Sequence, residues 1–221
     1  MYPSLSKTAA AAALLLTLLC AITAFGGVSQ QAFEIVSPPT DYARSLLASS
    51  AKLRLLIAID DLFIAAYVAM TIMLATHLGR DAMTPLHWFA LASGVAAGVL
   101  DLAENHHLLT MLRWAELSQP ISEAEILHRS SFSQLKWMLG HTAFVAVGIL
   151  LPKTREPIRR AFRTSLIFVQ LPIGAATWAV THPDWLLVLT WSRYGAFVSG
   201  FALTAWIARA GFDGPARDVR A

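Results

Sequence analysis

The stretch Gly98-Val99-Leu100-Asp101-Leu102-Ala103-Glu104-Asn105-His106-His107 places two acids, an amide and two imidazoles in a segment that otherwise reads as membrane-spanning. An α-helix advances about 100° per residue, so Asp101, Glu104 and Asn105, at i, i+3 and i+4, fall on one face. At the centre of a bilayer a charged side chain costs roughly 2.5–3.5 kcal/mol on insertion scales, so carboxylates at such depth are paired, protonated or ligated and mark function by default. That face is expected to look inward, away from lipid.

The surrounding chain supports the membrane reading. Its 221 residues are 56% apolar and only 14% charged, with a positive mean hydropathy of +0.56, far more apolar than an ordinary soluble domain. Six runs, at about residues 9–25, 55–76, 88–111, 132–151, 162–180 and 185–208, reach or approach the roughly 20 residues needed to cross the hydrocarbon core. The expectation is an all-α, polytopic bundle of six transmembrane helices forming one domain over residues 1–221. The first run also has the look of a secretory signal, with Ala24-Phe25-Gly26 as a small-x-small site, but its apolar length favours an uncleaved helix. In the 27–52 connection Pro38-Pro39 break any helix and Thr40 or Asp41 would cap the next. Tyr42, Leu46 and Leu47 at helical spacing there predict a short extracytoplasmic interfacial helix, either a linker or a lid over a site.

Charge distribution gives an orientation. Lys7, Arg80, Lys153, Arg155, Arg159, Arg160, Arg163, Arg209, Arg217 and Arg220 fall on one side, against Arg44, Lys52, Arg54, Arg113 and Arg129 on the other. The positive-inside rule puts both termini in the cytoplasm of a bacterial-type inner membrane. A single cysteine, Cys20, excludes an internal disulfide and any CxxC pair. There is no Gly-rich phosphate loop, HExxH or GxSxG, and no basic-aromatic pattern suited to nucleic acid. Asp60-Asp61 is followed by Leu62-Phe63-Ile64, which is not a DDxxD isoprenoid motif. Membrane lipid is the expected partner, with a homo-oligomer as a further one, since six spans are few for a transporter.

The candidate site comes from measuring depth along each span. Successive spans run in opposite directions, and at about 1.5 Å per residue Asp60, Asp61, Asp101, Glu104, Asn105, Lys136 and Arg193 share one layer just outside the midplane. Four acids then face two bases. Pairing Glu104 with Lys136, and Asp60 or Asp101 with Arg193, leaves two carboxylates to hold protons or a divalent cation. In an enzyme Glu104 or Asp101 would act as general acid or base, Asp60 or Asp61 as its partner, and Lys136 or Arg193 against developing negative charge. Asn105, Tyr67, Trp137 and His141 are the expected substrate contacts. Gly140, one turn after Lys136, would let another helix approach. Three readings follow: an intramembrane enzyme acting on a lipid-like or isoprenoid substrate, a proton- or cation-coupled transporter, and a subunit whose ion pairs only fix helix packing.

Overall fold

Proline sets where the long helices begin. Pro39, Pro85, Pro157 and Pro183 each occupy the first position of a helix, where the missing N–H would be unpaired anyway and φ is already helical. The computed structural model describes residues 2–180 and 182–212; Arg217 and Arg220 lie outside the described residues. It contains α1 (Tyr2–Gly26), a 3₁₀ turn (Gln30–Phe33), α2 (Pro39–Leu78), α3 (Pro85–Glu116), α4 (Glu123–Leu150), α5 (Pro157–Phe168), α6 (Gln170–Ala179) and α7 (Pro183–Ala210). No strand occurs among the described residues. Among the described residues four helices, α1, α2, α3 and α7, are long and apolar enough to cross a membrane.

Two local features differ from the sequence reading. Neither Thr40 nor Asp41 caps α2; the cap is Pro38, because the Pro39 ring already fixes a helical φ and starts the helix two residues before a Thr40 cap would. No separate interfacial helix forms, since residues 39–78 are one helix of 40 residues. In the fifth apolar run Pro172 has no N–H to give the Phe168 carbonyl and its ring crowds that carbonyl, and the helix is interrupted there into α5 and α6. The two remain nearly end to end: Val169 N donates to Ser165 O at 3.0 Å and Ile173 N to Val169 O at 3.1 Å. Ser122 caps α4, its Oγ accepting from Glu125 N at 3.3 Å.

The rods close into a ring in chain order, each packed on the next and α7 packed back on α1. Ser6 Oγ donates to Ala205 O at 2.8 Å across the closing seam. On the α2–α3 side the helices meet at glycine: a Cβ at Gly94 would collide with Thr71 Cγ2, and one at Gly98 with Val68 Cγ2. Two apolar cores result. One, with Phe33, Tyr42, Leu46, Leu112 and Ile126, fills the end carrying the 3₁₀ turn. The larger one, with Leu16, Leu74, Val147, Phe162 and Phe201, fills the rest. Polar residues lie between them.

Overpacking at the α2–α3 seam should be felt directly. Gly98→Leu is expected to lower stability by about 1–3 kcal/mol, read as a drop in thermal midpoint in detergent. Gly200→Ala, where a Cβ meets nothing within 4 Å, is expected to leave the midpoint unchanged or raise it slightly through helix propensity.

Candidate functional site

The polar layer is built on Glu104. Its helical face carries Asp101, Glu104 and Asn105, and the facing stripe of α4 carries Arg129, Ser133 and Lys136 at i, i+4 and i+7. Glu104 Oε1 stands 2.8 Å from Arg129 Nη2 and Oε2 stands 2.6 Å from Lys136 Nζ. Glu104 and Arg129 are each 1% exposed. A carboxylate buried this deeply requires such partners, because an unpaired buried charge costs several kcal/mol. Lys136 Nζ is shared further, at 2.7 Å from Asp101 Oδ1 and 3.9 Å from Glu34 Oε1. Asp101 Oδ2 accepts from Tyr67 OH at 3.2 Å.

On the α2 side the organiser is Asn105. Its Nδ2 donates to Asp60 Oδ2 at 2.8 Å and to Asp61 Oδ1 at 2.9 Å. Adjacent helical residues diverge by about 100°, so the two acids face different surroundings: Asp60 is buried, while the Asp61 side chain is 31% exposed with His106 Nε2 at 3.9 Å. Five carboxylates, Glu34, Asp60, Asp61, Asp101 and Glu104, thus gather around the two permanent cations Lys136 and Arg129. The 3₁₀ turn lies across this layer as a strap. Gln30 Nε2 donates to Asn105 Oδ1 at 3.2 Å, Arg129 Nη2 donates to Gln30 O at 3.3 Å, and Gln31 Nε2 bonds the Tyr194 hydroxyl.

Beneath the strap runs a cavity enclosing about 1350 Å³, open mouth included. Its polar end is lined by Gln30, Gln31, Glu34, Asp60, Tyr67, Asp101, Lys136 and Tyr194, and its far end by Leu16, Leu74, Val147, Phe162, Leu166 and Phe201. From Asp60 to Leu74 along α2 is roughly 21 Å at 1.5 Å per residue. The arrangement can hold one amphiphile lengthwise and offer ionisable groups to one end only.

Of the residues that depth along the spans groups together, Arg193 stands apart. Asp60, Asp61, Asp101, Glu104, Asn105 and Lys136 meet, with Tyr67 joining through Asp101. Arg193 is 1% exposed and pairs with no acid among the described residues; its Nε and Nη1 have no hydrogen-bond partner there, and its guanidinium stacks 3.6 Å over the Trp137 ring. Neither Asp60 on α2 nor Asp101 on α3 pairs with it, because the backbone of α7 lies against α1 and α6 rather than beside α2 or α3. Trp137 lines the cavity. His141 does not: it is fully buried against α6, where Nδ1 lies 3.2 Å from Gln170 Oε1 and the Gly174 backbone packs on the imidazole. Gly140 admits no neighbouring helix; a Cβ there meets nothing within 4 Å, because the residue borders the cavity.

Arg129, Glu34, Gln30 and Gln31 escaped the sequence reading. Arg129 lies three residues before the fourth apolar run, outside the span that hydropathy marks, although its i, i+7 relation to Lys136 places both on one stripe. Glu34 and the two glutamines carry no local signal, since only the folded strap brings them to the layer. Among the described residues no group of three or more His, Cys, Asp and Glu side chains is arranged to hold a metal ion. His107 instead pairs with Glu125, Nε2 to Oε2 at 2.7 Å.

The two kinds of carboxylate should respond differently to substitution. Glu104→Ala, which strands Arg129, is expected to cost about 3–5 kcal/mol, whereas Asp60→Asn, which keeps an acceptor for Asn105, is expected to cost under about 1.5 kcal/mol; thermal unfolding in detergent separates them. Comparison with protein-family models, with curated proteins and with solved structures finds no match to this chain.

Proposed function

We propose that the protein is an integral membrane protein, with six spans when α5 and α6 are taken together, that admits a lipid-like amphiphile to its cavity and acts on the polar end by proton transfer. The observation that carries this reading is the two-sided lining of a space about 20 Å long, with ionisable groups at one end and apolar wall at the other. Within the layer the roles divide by access. Glu104 is sealed between Arg129 and Lys136 and does not line the cavity, so it is a positioning residue that fixes Lys136. Asp101 lines the cavity and touches both Tyr67 and Lys136, so it is the group to give or take a proton. The Tyr67 hydroxyl and the Lys136 ammonium orient it and stabilise its charged form.

The same layer suits a proton-coupled carrier, and one observation favours that second reading. Asp61 reaches the exposed margin while Asp60 borders the cavity, and both accept from one Asn105 nitrogen. A carrier would use this pair as a step between outside and inside.

Orientation follows from the basic residues. With Arg129 withdrawn into the ion-pair layer, the strap end keeps Arg44, Lys52, Arg54 and Arg113, while Lys7, Arg80 and the 153–163 run crowd the other end. The strap end therefore faces away from the cytoplasm.

Two measurements test these proposals. In a Cys20→Ser background, Arg44→Cys is expected to react with a membrane-impermeant maleimide on intact cells and Arg155→Cys only after lysis; the reverse pattern inverts the topology. In lipid extracts of expressing cells, the wild type is expected to shift one amphiphile to a product, and Asp101→Asn to reduce that conversion by about 10²–10⁴-fold. An unchanged lipid profile with an occupied cavity favours the carrier.

A further inference from the structure

We infer that the amphiphile held by the cavity carries a positively charged head, an alkylammonium group, seated against Asp60. This deepens the proposed function and rests on its reading that the cavity takes an amphiphile. Asp60 is 7% exposed and borders the cavity; its Oδ2 accepts from Asn105, Oδ1 has no donor among the described residues, and no Lys or Arg there pairs with it. It is a buried carboxylate lacking a counter-charge, directed at a space large enough for a ligand.

The charges around that space point the same way. Lys136, the cation that lines the cavity, is already shared by Asp101, Glu104 and Glu34. Arg129 is taken by Glu104. Even with Arg193 added from behind the Trp137 ring, the five carboxylates of the layer outnumber the permanent cations by two. In a region of low dielectric this surplus repels an anionic head and attracts a cationic one, with interaction energies larger than in water. The Tyr67 and Phe63 rings, 5.1 Å apart between centroids, border the cavity from the helix that carries Asp60, and aromatic faces favour an ammonium over a neutral head. The apolar remainder of the cavity takes the alkyl chain.

The test uses the full chain in nanodiscs and three probes that share one tail: dodecylamine, dodecanol and dodecanoate. Binding is read by thermal shift and by fluorescence of the cavity tryptophans Trp137 and Trp191. Dodecylamine is expected to bind wild type at least tenfold more tightly than either of the others. Asp60→Asn is expected to weaken dodecylamine about tenfold while leaving dodecanol unchanged. Gly140→Phe, which fills open space beside Lys136 and Trp137, is expected to abolish binding of all three. Equal or tighter binding of dodecanol or dodecanoate by wild type overturns the inference without any variant, as does an undiminished dodecylamine affinity in folded Asp60→Asn. If no probe binds wild type, or if Gly140→Phe binds like wild type, the amphiphile-cavity reading fails and takes this inference with it.

Discussion

Everything at the centre of this protein depends on one carboxylate held between two cations. Glu104 meets Arg129 on one oxygen and Lys136 on the other, with almost no access to solvent. That contact joins α3 to α4 and fixes Lys136 in place, and Lys136 in turn fixes Asp101. A buried ion pair is weak evidence for net stability, because desolvation consumes most of what attraction returns. Its contribution here is placement. Breaking either half would leave a charge stranded, so the two helices have one register in which they can lie.

Placement separates the layer into groups that hold and groups that face the cavity. Glu104 and Asn105 are engaged by their partners and Arg129 meets Glu104 through Nη2, its Nε and Nη1 having no hydrogen-bond partner among the described residues, while Asp60, Asp101, Lys136 and Tyr67 border the open space. Register alone would need far fewer acids. The surplus carboxylates are therefore the part of the layer that packing does not explain.

Much of the fold and part of the site were legible in the sequence. Apolar run lengths marked the helices, although residues 162–180 read as one run where α5 and α6 are two, and the spacing of Asp101, Glu104 and Asn105 gave a common inward face. Depth along a helix is a reliable coordinate because rise per residue is nearly constant. The angle around a ring of helices is not available that way, which is why Arg193, at the right level, sits on the wrong wall. Arg129 was missed through a boundary drawn at hydropathy rather than at the Ser122 cap. Glu34 was beyond reach, since a residue in an irregular connection declares its partners only after the chain has closed.

The length of α2 carries a consequence of its own. Forty residues rise about 60 Å, twice the roughly 30 Å of a bilayer's hydrocarbon, and the charged residues Asp41, Arg44, Lys52 and Arg54 all lie in its first half. A rod of that length spanning lipid must stand well clear of it on one side. The core around Phe33, Tyr42 and Leu46 packs mainly against its first half, and the core around Leu16, Leu74 and Phe201 mainly against its second half. One continuous helix thereby backs both cores, and its contact with Asn105 through Asp60 and Asp61 marks the level at which one core gives way to the other.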